Sequence, residues 1–474
     1  MRTALMIAPR TLLLSLAVSA ALAGCATPGA NPAADIRVPA AWGQTSAPTE
    51  AQPLDVTAPA ADIATDGWWR GFNNAQLDAL IDQVLASNTD LAVAGLRLQR
   101  ARLQAGLASA DLWPSANGSL GVSGNRRIDS GDDWSEGYSA SVSLGWELDL
   151  WGKLRAQRDI AQWEAAATAE DQQNTALLLV SQAAELYWQI GYLNLAIRSG
   201  QANLERLQRI GQLVDVQYRA GTVSMLEVRQ AAQNLEAQKS SQAQLEQQRV
   251  EARNALTVLL DGQPWPVERE AQNLDGFALP GVAPGLPAQL LARRPDLRAA
   301  ELRLRQALKQ IKVTATSYYP SLSLSGSVGG SSTDLAEVLA NPVASLGAGL
   351  SLPFLRLRQM QLNIESSDLT YQIAANQFRD TLYSALAEVD NALSAREKLA
   401  VQLAASQASH DHAVEIERLY EVRYRAGATD LRNWLDAQQT RRNAELSLAQ
   451  ARRSVLVNQT TLYKALGGSD RSQP

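Results

Sequence analysis

One stretch of this sequence occurs twice. NTDLAVAGLRLQRA (Asn88–Ala101) lines up with RPDLRAAELRLRQA (Arg294–Ala307), and seven of the fourteen positions are identical. The offset of 206 residues also pairs Pro114-Ser115 with Pro320-Ser321, and the YRAG of Tyr218–Gly221 with the YRAG of Tyr424–Gly427. Near the ends it pairs Leu256 with Leu462 and Gly262 with Gly468. One window could match by chance in an Ala- and Leu-rich helix, but separate windows at one offset do not. The body is therefore two structurally equivalent halves. That excludes the row of about three independent domains that 474 residues would otherwise suggest.

Each half runs through the same elements. Apolar residues at three- and four-residue spacing predict an opening helix from Leu77 to Leu112, stopping before Pro114, and a counterpart of about 36 residues in the second half. Period-two segments follow. Ala116, Gly118, Leu120 and Val122 alternate with polar or small residues, as do Tyr138, Ala140, Val142, Leu144, Trp146 and Leu148. The second half repeats this with Leu322, Leu324 and Val328, then with Ala344, Leu346, Ala348, Leu350, Leu352 and Phe354. Four strands of about ten residues, each with an apolar face and a Ser/Gly face, have the pattern of transmembrane β-barrel strands. Trp113, Tyr138, Trp146, Tyr318, Tyr319 and Phe354 lie near strand ends, where an aromatic girdle would sit. The alternative is a half-buried strand pair in a soluble sandwich, but the chain offers no second sheet to pack on. Four strands cannot close, since the smallest membrane barrels have about eight. A barrel thus requires a dimer, trimer or tetramer.

A very long helix comes next. No proline occurs from Gly152 to Tyr218, roughly 67 residues or about 100 Å. Leu186, Leu193, Leu207 and Val214, with Ile190, Ile197 and Leu204, form a coiled-coil seam on which Gly200 and Gly211 also fall. Close backbone approach is expected at both glycines. Gly221 terminates the helix, and a return helix runs from Ser224 to Leu260. The return helix and the next opening helix could stack end to end along the long one. Such a hairpin cannot bury its second face alone.

The ends differ from the body. Arg2 and Arg10 precede and flank TLLLSLAVSAALA, a run of signal-peptide length that is too short to span a bilayer as a helix. Leu22-Ala23-Gly24-Cys25 follows, with the only cysteine at the first mature position. This resembles a bacterial lipobox, and an ordinary signal peptide with a chance cysteine is the alternative. Acyl chains at Cys25 would hold the chain to a membrane. Six prolines between residues 26 and 66 argue for an extended arm. The expected division is 1–24 signal peptide, 25–66 arm, 67–262 first repeat, 263–285 equatorial connector, 286–468 second repeat and 469–474 tail.

Composition excludes other classes. One cysteine cannot make an internal disulfide or a thiolate cluster. His410 and His412 stand at i and i+2, which do not share a helical face, so no metal site and no cofactor are expected. A net charge of −5 with no basic stripe gives no reason to expect nucleic acid. No GxSxG, Walker A or HExxH pattern occurs, which argues against an enzyme.

The ordered set WWRGF (Trp68–Phe72), NTDL with RRPDL (Arg293–Leu297), WELDLWGK (Trp146–Lys153), the two YRAG turns, LDAQQ (Leu435–Gln439) and LYKALGG (Leu462–Gly468) resembles the outer-membrane factor family. These are the TolC- and OprM-like exit ducts of tripartite efflux pumps and type I secretion, and the lipobox points to their lipid-anchored subgroup. The resemblance implies a mainly α fold with a membrane β-barrel. Three chains would form a 12-stranded β-barrel in the outer membrane, continued by a 12-helix α-barrel through the periplasm. It implies a homotrimer, outer-membrane lipid, a periplasmic adaptor protein and an inner-membrane efflux pump as partners, and passive conduction. A channel for type I protein secretion or metal efflux, and a lipid-anchored coiled-coil scaffold without a pore, are the alternatives.

The resemblance also implies a gate. The YRAG turns become the periplasmic tips, with Arg219, Gly221, Arg425 and Gly427 meeting the adaptor. Asp436 occupies the acidic constriction of the LDAQ motif. Arg432 lies one turn earlier, where some relatives carry an apolar residue, and Asn433 stands where some carry a second aspartate. Tyr424 and Tyr218 resemble gate-bracing tyrosines, and Arg425 and Arg219 are expected to bond neighbouring helix ends. The plain alternative for each charge is an exposed i, i+4 face.

Overall fold

The structure is a computed structural model; it describes residues 38–39, 42, 67–126, 133–281 and 287–468. The signal segment, Cys25 and the 469–474 tail lie outside the described residues. The elements are α1 (Ala75–Ser87), α2 (Thr89–Ala110), β1 (Ser115–Asn125), β2 (Ser135–Leu148), α3 (Lys153–Arg219) and α4 (Met225–Leu259). A connector then leads to α5 (Leu290–Arg293), α6 (Pro295–Thr316), β3 (Ser321–Ser332), β4 (Val343–Ser351), α7 (Leu357–Arg425) and α8 (Leu431–Leu466).

The four strands form one antiparallel meander, β1-β2-β3-β4, so the two halves meet edge to edge at β2–β3. The register places Leu120 opposite Ala140, Val142 opposite Val328 and Gly326 opposite Leu346. Within the strands, the apolar residues named from period two therefore lie on one face. Leu120, Val122, Val142, Leu144, Leu346 and Leu350 on that face are exposed in the single chain. The other face is a serine ladder. Ser119 and Ser141 hydroxyls are 2.8 Å apart, and those of Ser327 and Ser345 are 2.6 Å apart. At several other positions of this face a serine stands opposite a glycine, as at Ser115–Gly145, Ser123–Gly137 and Ser325–Gly347, and a Cβ on Gly121 would come within 2.8 Å of Ser139 Oγ. β1 and β4 each keep one edge unpaired among the described residues. No described helix is long and apolar enough to cross a membrane.

The long helix α3 spans 67 residues and packs on α4, α6 and α2, whereas α7 spans 69 and packs on α8 and α6. Along the first half of α3, Asp159, Glu170 and Asp171 pair with Lys309, Arg298 and Arg303 of α6. Further down, α4 lies against α3, so α4 and α6 do line the long helix in succession.

Two helix expectations fail at a capping residue. The opening helix is broken between α1 and α2, where Asn88 is extended (ψ 128) and accepts from the Asp90 and Leu91 N–H groups. Its Nδ2 also donates to Leu259 O at 3.0 Å, fastening the break to the end of α4. A short polar side chain competes with the helix ladder for backbone donors, and here it prevails. The second-half counterpart is only 22 residues long, because Pro295 forces Arg294 into an extended conformation and restarts the helix. Two smaller expectations also fail. A Cβ on Gly200 would overlap Gln242 Oε1, as expected of close packing, but one on Gly211 meets nothing within 4 Å. Tyr318 is buried with its hydroxyl accepting from Asn363 Nδ2, so it does not face outward as a girdle residue.

The main core sits at mid-height, where both halves meet. Trp68 stacks on Tyr463 of α8, with ring centroids 4.9 Å apart, and Trp188 of α3 contacts both Phe72 and Phe277 edge-on. Only 5% of the chain is aromatic, so this concentration explains the WWRGF motif as the knot between the opening segment, α3, the connector and the last helix. The connector is held by Glu270, which is buried and accepts a bidentate pair from Arg253 at 2.6 and 2.7 Å. That pairing raises the Arg253 pKa, against the opposing effect of burial. Trp42 of the arm is buried in a second cluster with Leu290, Leu297 and Phe378.

Candidate functional site

The two YRAG turns end α3 and α7 in the same way. Gly221 and Gly427 have φ of 77° and 70°, a conformation that costs an L side chain roughly 1 kcal/mol or more. Each glycine N–H bonds back to the tyrosine carbonyl, at 2.9 Å for Tyr218 and 3.0 Å for Tyr424. Backbone equivalence ends there. The Tyr424 hydroxyl donates to Gln217 Oε1 of the other tip at 2.9 Å, and its ring stacks on Trp434 with centroids 5.2 Å apart. Tyr218 is exposed and its side chain makes no hydrogen bond among the described residues. Beneath them Leu207, Ile210, Val214, Ala231, Leu431, Trp434 and Leu435 form an apolar cluster joining α3, α4 and α8.

The charged tip residues mostly stay on their own helices. Arg219 donates to Asp215 at 2.6 Å and Arg425 pairs with Glu421 at 2.5 Å, each one turn back. The expected bonds to neighbouring helix ends are absent from the described chain. The reason is local: a carboxylate four residues earlier is the nearest acceptor on the same face. Arg432 Nε and Asp436 Oδ2 are 3.9 Å apart, with both side chains about three-quarters exposed (75% and 72%). At that exposure the pair is worth only a few tenths of a kcal/mol. Asn433 donates to Thr429 Oγ1 at 3.0 Å.

Above the tip lies a layer that sequence reasoning missed. Glu417 of α7 is buried and receives Arg206 of α3 at 2.8 Å and Arg441 of α8 on its second oxygen. Arg441 also reaches Glu445, which accepts from Ser199 Oγ of α3 at 2.8 Å. One carboxylate thus ties three helices. Its sequence signal is faint, a charged residue on an otherwise ordinary helical face. The WELDLWGK motif also has a physical role. Asp149 accepts from the Leu154 and Arg155 N–H groups, both at 3.0 Å, and caps α3 just beyond β2. Burial would raise its pKa, but these backbone donors and the Arg155 guanidinium outweigh that and hold it below the ordinary aspartate value. Trp151 Nε1 donates to Pro320 O at 2.7 Å, and Trp146 Nε1 to Leu112 O at 3.0 Å, pinning strand ends to helix ends. Among the described residues no His, Cys, Asp and Glu cluster could hold a metal ion.

A family model described as outer membrane efflux protein matches residues 80–262 and again 286–468. The chain belongs to the outer membrane efflux protein family. It is 32% identical to the pyoverdine export outer membrane protein OpmQ of Pseudomonas putida, over 97% of each chain. It is 30% identical to the toluene efflux pump outer membrane protein TtgC, also of Pseudomonas putida, over 96% of this chain and 95% of that one. A crystal structure of CusC superposes with a TM-score of 0.77 at 25% identity, covering 94% of this chain and 99% of the other. Members of this family are transport channels, and this chain is an outer-membrane exit duct for efflux.

Proposed function

We propose that three copies of this chain assemble into a 12-stranded barrel in the outer membrane and a 12-helix tube in the periplasm. The observation that carries this is the sheet: four strands, one lipid-compatible face, one serine face, and an unpaired edge at β1 and at β4. Neighbouring copies pairing β4 to β1 would close the barrel and leave no edge. The repeats 67–262 and 286–468 then run in parallel through both layers, with the 263–285 connector around the waist. Cys25 carries the lipid, and the arm that follows is fastened at Trp42. The tips at Arg219, Gly221, Arg425 and Gly427 meet a periplasmic adaptor, which couples the duct to an inner-membrane pump. Cargo selection belongs to the pump, consistent with relatives named for such different compounds as pyoverdine and toluene.

The barrel reading is tested with Arg126→Cys, placed in the β1–β2 loop. A membrane-impermeant maleimide should label it on intact cells. Labelling only after the outer membrane is broken sinks the barrel reading and favours a scaffold.

The gate reading rests on Asp436 with Arg432, and on Tyr424 with Tyr218. Their tips converge at one end of the helical hairpins, and a three-fold ring of Asp436 would favour cations and resist opening. Bilayer recordings of Asp436→Ala decide this: ion preference should weaken, and an unchanged preference and conductance would remove Asp436 from the gate.

A further inference from the structure

One side chain in the layer above the tip has more donors than partners. Arg442 of α8 is only 4% exposed. Its Nη1 bonds to Gln238 Oε1 of α4, which also accepts from Asn203 Nδ2 of α3 at 3.1 Å. Arg442 Nε and Nη2 have no hydrogen-bond partner among the described residues. One turn earlier on the same face is Gln438, 3% exposed, with both amide atoms unpartnered. Helical side chains lean toward the helix N-terminus, so the Arg442 guanidinium leans over the turn that carries Gln438. Among the described residues, the buried donors left without a partner on this face are Arg442 Nε, Arg442 Nη2 and Gln438 Nε2, and the buried acceptors left over are Gln438 Oε1 and, on α4, Gln242 Oε1.

The charges do not balance either. Arg206, Arg441 and Arg442 share this layer with the carboxylates Glu417 and Glu445. Both carboxylates are engaged by Arg441, and Arg206 also holds Glu417, so neither accepts from Arg442. Burial lowers the Arg442 pKa; Glu445 offsets this in part and Arg441 adds to it. Arginine nonetheless stays protonated at neutral pH. A buried, unpaired guanidinium is strongly destabilising unless its donors and its charge are met.

We propose that Arg442 and Gln438 form an internal site for a small inorganic anion of chloride size, seated between α3, α4 and α8. The anion would neutralise the excess positive charge and accept from the three free donors, while Gln238 and Asn203 fix the guanidinium from the other side. The site would lock α8 to the α3–α4 hairpin one layer above the gate. The site is built from residues of one chain, and its place relative to a gate rests on the proposed function.

The test uses the full-length protein purified from outer membranes, with bromide as the probe. Crystals grown in sodium bromide should show an anomalous peak within hydrogen-bond distance of Arg442 Nε or Nη2. Helix melting followed by circular dichroism should occur several degrees higher in sodium chloride than in sodium gluconate at equal ionic strength. Arg442→Gln should abolish that difference, and Gln438→Leu should reduce it if Arg442→Gln does not fold. Three results would overturn the proposal. They are a carboxylate of a neighbouring copy on Arg442, a turned Gln438 or Gln242 side chain accepting its free donors with no bromide peak, and a chloride dependence that survives in both variants.

Discussion

The two halves of this molecule share a backbone plan and differ in what their side chains hold. At the first tip Tyr218 is exposed; at the second, 206 positions later, Tyr424 bonds to Gln217 and stacks on Trp434. Glu417 of the second half ties three helices, and the equivalent position in the first half is Gly211. At the start of the long helices the balance reverses. Asp149 caps α3, whereas the equivalent position before α7 is Leu355 and α7 has no side-chain cap. Duplication thus preserved lengths and turns, while the fastening moved to opposite ends. The first repeat is anchored where helix meets sheet. The second is anchored near the tip, where a gate would be held shut.

The largest effect should come from Glu417→Gln. It leaves Arg206 and Arg441 facing a neutral amide in a buried layer, at a cost of about 3 kcal/mol. Chemical denaturation should show it, and a change under about 1 kcal/mol would mean the layer is well solvated. Next is the paired comparison of Tyr424→Phe with Tyr218→Phe. Losing one hydrogen bond costs about 1 kcal/mol per chain. Three chains acting together would shift the closed-to-open ratio roughly a hundred-fold. Open probability should therefore rise in Tyr424→Phe and stay at the wild-type level in Tyr218→Phe. Equal effects would erase the distinction between the tips.

Asp149→Asn should cost about 1 kcal/mol, as expected for weakening an N-terminal cap. The pH dependence follows from its lowered pKa. A carboxyl whose folded pKa lies below the unfolded value adds stability that is present above the unfolded value. That stability is lost as pH falls through the folded one. The Asp149→Asn variant should therefore lose less stability than wild type between neutral and acid pH. The smallest effect is expected at Gly211. Gly211→Ala should stabilise the single-chain helix by about 0.5–1 kcal/mol because its Cβ meets nothing. Gly200→Ala should instead destabilise, because its Cβ overlaps Gln242. If Gly211→Ala blocks assembly, that glycine serves a contact between chains.

Much of this architecture was legible in the sequence. The proline-free run from Gly152 and the αL glycine at Gly221 bounded α3 to within a residue or two, because both are local backbone constraints. Period two placed all four strands and their faces, but it runs on to Phe354 where β4 ends at Ser351 and Pro353 opens a 3-10 turn. Apolar spacing runs through Asn88 because a helix pattern continues on both sides of it; the NTDL motif marks a helix start there, and the Asn88 cap and its bond to Leu259 O show why the chain breaks. The Glu417 and Arg442 layer escaped notice. Each partner lies on a different helix, and no spacing along one helix announces a contact between three. Among the residues proposed for a gate, sequence reading could not separate Tyr424 from Tyr218, since both sit in YRAG.

The central claim is that this chain forms an outer-membrane conduit whose periplasmic end is held closed by its second repeat. Single-channel recording of the purified full-length protein in planar bilayers tests it most directly. The account predicts discrete, cation-preferring steps with low open probability in wild type, and frequent openings of the same ion preference in Tyr424→Phe. Silent bilayers for both proteins, with insertion confirmed, would contradict it.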